Sequence, residues 1–289
     1  MKPPPFHYVR AISLDHALAT LAGAGDEAKV LAGGQSLIAM MNLRLARPHM
    51  LVDINRLREQ DYIRQHNGHV AIGALTRQST VEESALIAEV CPLLTEAIRY
   101  VAHKPIRNRG TIGGNLAHAD PTSELPAVAV ALDASFTLQS QRGTRTLKAN
   151  EFFVGYFATA LAADELLTEV SFPTHAPGQG WSFMEYSPRK GDYALVGVAA
   201  TLEVTDGKCA AARLVYVGVG ERAQRIEEAE QLLLGNAPTA DAFQAAADVA
   251  SRLVDPASDV HASATYRREL VNTLTRRALA QALDRSKGA

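Results

Sequence analysis

Two glycine pairs, Gly33-Gly34 and Gly113-Gly114, set the strongest constraint on how this 289-residue chain folds. The first lies in Ala32-Gly-Gly-Gln-Ser36, directly after Lys29-Val-Leu31, which reads as a short buried strand. The segment LIAMMNLRLARP that follows reads as a helix or turn stopped near Pro48. The second pair lies in Thr111-Ile-Gly-Gly-Asn115, inside KPIRNRGTIGGNLAHADPTSELP, a loop too long and too rich in Gly, Pro and Asn for an ordinary connector. Glycine opens turn geometries closed to other residues and leaves amides free to converge on anionic oxygens. One such pair is most often only a tight turn. Two can clasp an extended diphosphate from both sides, with Ser36, Thr111 and Asn115 adding side-chain donors. Neither matches GxGxxG or GxxxxGK followed by Ser or Thr, so a Rossmann site and a P-loop both lose sequence support.

The flanking patterns mix helices and strands. Leu14, Ala17, Leu18 and Leu21 recur at helical spacing behind a Ser13 cap. Leu51 to Ile54 reads as a buried strand, and YIRQ with HVAIGALT reads as a hairpin turning at His66-Asn67-Gly68. Thr80 to Ala102 is helical, with Pro92 opening a second helix. A small-residue helix at 125–132, a hairpin from Phe136 and Thr144, and a strand from Glu165 to Phe172 follow. The Gly/Pro-containing HAPGQG marks a domain junction, giving units 1–175 and 176–289. Beyond it, strands at about 194 to 205 and 209 to 218 precede helices near 223 to 234, 239 to 253 and 262 to 284. The layout is α+β.

Charge and cysteine usage exclude several functions. A net charge of −2 provides no positive field for nucleic acid or an anionic membrane surface. Three prolines in MKPPPFHYVR argue against a signal peptide, and no apolar run is long enough for a membrane span, so a cytoplasmic location is expected. Two cysteines, Cys91 and Cys209, are too few for a four-cysteine zinc site, a [4Fe-4S] cluster or a disulfide scaffold. His118 and Asp120 lack the convergent partners of a metal site and read as loop groups shaping a pocket.

AGGQSL, NLRLARPHMLVDI and IRNRGTIGGNLAHADPTSELP together resemble the FAD-binding medium subunits of molybdenum hydroxylases, over nearly the full length. The resemblance implies a two-lobed FAD-binding domain of the vanillyl-alcohol oxidase (PCMH) type and a smaller α+β C-terminal domain of the CO dehydrogenase flavoprotein type. It implies that Ala32, Gly33, Gly34, Gln35 and Ser36, with Thr111, Gly113, Gly114 and Asn115, hold the diphosphate of noncovalent FAD. Leu37, Ile106, Ala117 and Asp120 join them by motif, and Glu124 accepts hydroxyls of the FAD sugar chain. Leu167 packs on the cofactor, and Lys29 helps to neutralise the diphosphate, with Arg107 and Arg109 as basic flanks of the second pair. SPRKGDYALVG resembles the segment approaching the flavin ring, with Lys190 stabilising negative charge and Tyr193 beside the ring. Relatives often carry a lysine where this chain has Glu185, which alters the expected electrostatics there.

The implied function is electron transfer. A small partner chain would carry two [2Fe-2S] clusters and a large partner chain the molybdenum cofactor, assembled as (αβγ)2. FAD would receive electrons from the clusters and pass them to an acceptor such as a quinone or NAD. Two other readings stay open: a freestanding FAD-dependent oxidoreductase of the same fold, and a flavin-free assembly subunit.

Overall fold

Each half of the chain builds sheets that need helices on their faces, and the computed structural model describes residues 2–287. Strand β1 (His7–Arg10) leads to helix α1 (Leu14–Ala24), where Ser13 Oγ accepts from the His16 N–H at 3.1 Å. Strand β2 (Ala28–Leu31), helix α2 (Leu37–Asn42) and strand β3 (Met50–Asp53) follow. The three strands form a parallel sheet in the order β1-β3-β2. Parallel neighbours require crossovers, and α1 together with the α2 segment supplies them. Buried Ala17, Leu18 and Leu21 of α1 close a small core with Val52, Ile54 and Leu57.

Strands β4 (Ile63–His66) and β5 (His69–Gly73) form the expected hairpin. Asn67 and Gly68 are both left-handed, at φ 47° and 74°, as a type I′ turn requires. The helical run expected from Thr80 to Ala102 divides into α3 (Gln78–Glu82), α4 (Ala85–Val90) and α5 (Pro92–Ile98). Ser84 caps α4, and Pro92 opens α5 at its first turn. The segment expected to be a loop contains two helices, α6 (Lys104–Arg107) and α7 (Ile112–His118), and the small-residue helix expected at 125–132 is α8 (Glu124–Ala131). Thr111 Oγ1 accepts from the Gly114 N–H at 3.0 Å, which draws the glycine pair into the first turn of α7. Composition misled there because Gly113 serves packing: a Cβ on it would lie 2.8 Å from the Ala74 carbonyl oxygen.

Strands β6 (Ser135–Ser140) and β7 (Gly143–Lys148) pair as a hairpin. Helix α9 (Ala149–Phe152), the short ribbon β8 (Phe153–Gly155) with β9 (Ala158–Thr159), and β10 (Leu166–Pro173) complete this half. The second sheet runs β4-β5-β10-β6-β7, antiparallel throughout.

The last sheet contains β11 (Gln179–Tyr186), β12 (Val196–Thr205), β13 (Lys208–Val217) and β14 (Gln224–Arg225). Helices α10 (Glu227–Gln231), α11 (Ala240–Leu253) and α12 (Ala264–Ser286) end the chain. Both faces of this sheet are covered along its first half, so β12 opens with an apolar run at 196–200, and polar Thr201, Glu203 and Thr205 alternate toward its exposed end. Val196, Val198, Ala200 and Leu202 face a core shared with α11 and α12. Ala199, with Val215 and Val217 of β13, enters the same core as α5 and α8 of the first half. Hydrophobic packing therefore runs across the HAPGQG segment.

An ion pair reinforces that junction. Arg285 of α12 donates to both carboxylate oxygens of Glu96 on α5, at 2.7 and 3.0 Å, and to the Trp181 carbonyl at 2.8 Å. The Phe183 N–H also donates to Glu96, at 3.1 Å. Glu96→Gln is expected to lower stability by about 1–3 kcal/mol, because it leaves a forked, partly buried guanidinium half-paired. A urea melt checks this, and an unchanged midpoint would remove the pair from the account.

Cys91 and Cys209 are both buried and free, in separate cores. Burial pushes the Cys91 thiol up to about 12. No helix is long and apolar enough to cross a membrane among the described residues.

Candidate cofactor site

A cavity of about 780 Å³ opens where the first sheet, α7, the β8–β9 ribbon and the 191–193 segment meet. That volume lies in the upper range of small-molecule and cofactor sites. Its first wall is the loop between β2 and α2. Lys29, Ala32, Gly33, Gly34, Gln35, Ser36 and Leu37 all line it. The backbone N–H groups of Gly33 through Leu37 have no hydrogen-bond partner among the described residues. Gly34, at φ +73°, gives this run of free donors its concave turn.

The facing wall is α7 and its surroundings. Ile106, Thr111, Gly113, Gly114, Asn115, Ala117, Asp120 and Glu124 line it. Here the expected cradle of glycine amides is not what the backbone provides. The Gly113 N–H donates to the Ala74 carbonyl at 2.9 Å, the Gly114 N–H to Thr111 Oγ1, and the Asn115 N–H to the Thr111 carbonyl at 3.1 Å. A helix turn and the close approach to Ala74 consume them. The Thr111 hydroxyl proton stays available, as does the Asn115 side-chain amide, whose Oδ1 accepts from Ser123 Oγ at 2.9 Å. The two walls nearly touch: a Cβ on Gly33 would lie 2.8 Å from the Gly110 Cα.

Leu167 lines the floor, and Tyr193, 72% exposed, lines the rim. Lys190 is exposed and lies outside the lining, although the neighbouring Gly191 and Asp192 belong to it. Arg107 is not a basic flank of the site. It is buried, forked onto Glu82 at 2.8 and 3.0 Å, and donates to the Val101 and Ala102 carbonyls. Phe157 escaped the sequence reading altogether. It occupies the two-residue turn of the β8–β9 ribbon at φ +49° and packs against His118, ring centroids 5.1 Å apart. An aromatic residue in the left-handed region is unusual, and no local sequence signal marks it.

Two carboxyl groups meet at the junction of the halves. Burial pushes Glu124 up to about 7, helped by the charge of Asp120. Burial, then the charge of Glu124, pushes Glu185 up to about 8. Glu185 Oε2 is buried without a hydrogen-bond partner among the described residues. Both raised values mean that the folded chain binds more protons than the unfolded one between about pH 4.5 and 8. This contribution to stability is full below about pH 4.5 and is lost as pH rises through 7 and 8. Thermal melts across that window are expected to fall less steeply for Glu124→Gln than for the natural chain, by about 1–3 kcal/mol at its upper end. Parallel pH profiles would overturn the coupling.

The residues fit a long, anionic, partly apolar cofactor. Free amides and Ser36 suit a diphosphate, carboxyl acceptors suit sugar hydroxyls, and Leu161, Leu166 and Leu167 offer apolar surface. The fold and the cavity thus define a cofactor-binding α+β protein with two structural regions.

Comparison with known proteins makes the class specific. Residues 4–175 match the family described as the FAD binding domain in molybdopterin dehydrogenase, and residues 181–282 match the CO dehydrogenase flavoprotein C-terminal domain. The chain belongs to the FAD-binding medium-subunit family of the molybdenum hydroxylases. It is 45% identical to the 6-hydroxypseudooxynicotine dehydrogenase complex subunit alpha of Paenarthrobacter nicotinovorans, over 99% of this chain and 97% of that protein. It is 40% identical to the caffeine dehydrogenase subunit beta of Pseudomonas sp. strain CBB1, over 99% and 97%. A carbon monoxide dehydrogenase structure from Hydrogenophaga pseudoflava superposes with a TM-score of 0.96 at 40% identity, covering 99% of both chains. The architecture expected from the resemblance, a PCMH-type region followed by a CO dehydrogenase flavoprotein region, is the one observed.

Proposed function

We propose that this chain holds noncovalent FAD in the 780 Å³ cavity and serves as the electron-transfer subunit of a heteromeric molybdenum hydroxylase. The observation that carries the reading is the row of free amides from Gly33 to Leu37, facing the Thr111 and Asn115 side chains across the cavity. These groups bind the diphosphate, with Lys29 adding positive charge. Asp120 and Glu124 orient the sugar chain, while Leu37, Ile106, Ala117 and Leu167 exclude water from its path. Tyr193 stands at the rim, where an aromatic side chain limits access to whatever lies beneath it. FAD supplies a carrier that joins one-electron iron-sulfur clusters to two-electron acceptors.

In this reading a small partner chain carries two [2Fe-2S] clusters and a large partner chain binds the molybdenum cofactor. Substrate oxidation belongs to the large chain, and a quinone or NAD takes the electrons. The described residues of this chain contain no group of three or more His, Cys, Asp or Glu that could hold a metal ion. We assign residues 1–175 to flavin binding and 176–289 to the smaller region, the two assembled with the partners as (αβγ)2.

Purification of the natural complex, with subunit identification, metal analysis and a visible spectrum, tests the proposal. The expected result is co-purifying large and small chains, molybdenum and iron, and flavin bands in the near ultraviolet and blue. A complex without flavin, or a chain that reduces a small substrate with NAD(P)H while free of partners, would overturn it.

A further inference from the structure

The two glycine segments belong to different packing units, one at the edge of the parallel sheet and one on α7. Among the described residues, no backbone hydrogen bond joins 31–37 directly to 109–115. A side-chain relay does. Asn55, just past β3, donates through Nδ2 to the Ala32 carbonyl at 2.6 Å and to the Leu31 carbonyl at 3.3 Å. Its Oδ1 accepts from an Arg77 guanidinium nitrogen at 2.9 Å. The other terminal nitrogen of Arg77 donates to the Arg109 carbonyl, the backbone that passes over Gly33. Asp53 fixes the relay from behind, its Oδ1 accepting from the Asn55 N–H at 2.9 Å and from Nδ2 at 2.8 Å. Neither Asn55 nor Arg77 lines the cavity.

We infer that Asn55 and Arg77 are positioning residues that fix the separation of the two glycine segments and so the fit of a diphosphate between them. The inference rests on the FAD reading above. A guanidinium is suited to the task because its planar fork meets two acceptors at a set angle, whereas an ammonium acts as a point charge. Asn55 is suited because it donates to one segment while accepting from the arginine.

The test uses the full-length chain, with FAD and ADP as separate probes. ADP carries the diphosphate without the flavin ring. Asn55→Ala and Arg77→Gln are each expected to weaken both probes by the same factor, roughly 10- to 100-fold. The double variant is expected to lose little more than either single one, since the two side chains act as one relay. Arg77→Lys keeps the charge and is expected to fail to rescue. The ³¹P resonances of the bound diphosphate, recorded at saturation, are expected to move toward those of free ligand in the variants. A purely structural role would lower the melting temperature and leave the bound resonances in place.

Wild-type affinity and unshifted ³¹P signals in a folded Arg77→Lys or Asn55→Ala chain would overturn the inference and leave the FAD reading intact. Failure of the natural chain to bind either probe would overturn the FAD reading, and the inference with it. If Asn55→Ala does not fold, Arg77→Lys alone decides, because it retains the aliphatic stem and the charge.

Discussion

Gly180→Val is expected to be the most destabilising single substitution in the C-terminal sheet. Gly180 pairs with Leu202 across β11 and β12, and α12 crosses it at backbone contact. A Cβ there would lie 2.6 Å from the carbonyl carbon of Ala282 and 3.1 Å from the Ser286 nitrogen. The obstacle is helix backbone, which no rotamer change moves aside. Nor can the helix lift away cheaply: Arg285 holds its end on Glu96, and Arg267 donates to the Leu195 and Gly218 carbonyls further along. The expected cost is about 3–5 kcal/mol, or roughly 6–20 °C in melting temperature for a chain of this size. Gly207→Ala is the control. It meets open space and bears only the strain of φ +72°, a cost near 1 kcal/mol. A Gly180→Val chain melting within about 3 °C of the natural one would show that α12 yields more readily than its anchors indicate.

The largest expected effect on cofactor binding comes from Gly33→Ala. A methyl group there would sit 2.8 Å from the Gly110 Cα and 2.9 Å from the Arg109 carbonyl carbon, so the two walls must part. The five free amides then move away from Thr111 and Asn115, and the expected loss of FAD affinity is roughly 100-fold or more. The hydrophobic cores lie elsewhere, and the melting temperature without cofactor is expected to shift by only a few degrees. Flavin titration by fluorescence quenching, beside a thermal melt, separates these effects. Gly114→Ala is expected to do less, since its Cβ would meet the Thr111 hydroxyl at 2.7 Å, a side-chain atom able to rotate at the cost of a helix cap. Equal flavin affinity in Gly33→Ala and the natural chain would mean that wall separation does not govern binding.

Local chemistry made much of this architecture legible in the sequence. Asn67-Gly68 dictates its turn, Ser13 its cap and Pro92 its helix start, because each acts on neighbouring backbone. Reading failed where a residue answers to something distant in the chain. Gly113 is small for the sake of Ala74, so a helix looked like a loop. Arg107 looked like a basic flank of the second glycine pair and is instead committed to Glu82, twenty-five positions away. Seventeen of the residues assigned to the cofactor by resemblance meet in one cavity, with Lys190, Arg107 and Arg109 outside it. Asn55, Arg77 and Phe157 had no local pattern to reveal them, since their partners come from other segments.

The apolar packing that passes from α5 and α8 into β12 and β13 bears on how a molecule enters or leaves the cavity. Tyr193 rides on the segment joining β11 to β12, and β12 is cemented to the first half by Ala199. Swinging the two halves apart would expose that shared core and break the Arg285 fork, whereas displacing a surface turn breaks neither. The exposed 187–193 turn, by contrast, can move without disturbing that core, a motion of the nanosecond-to-microsecond class. Exchange kinetics at this cavity should follow turn sequence and remain nearly indifferent to substitutions that loosen α11.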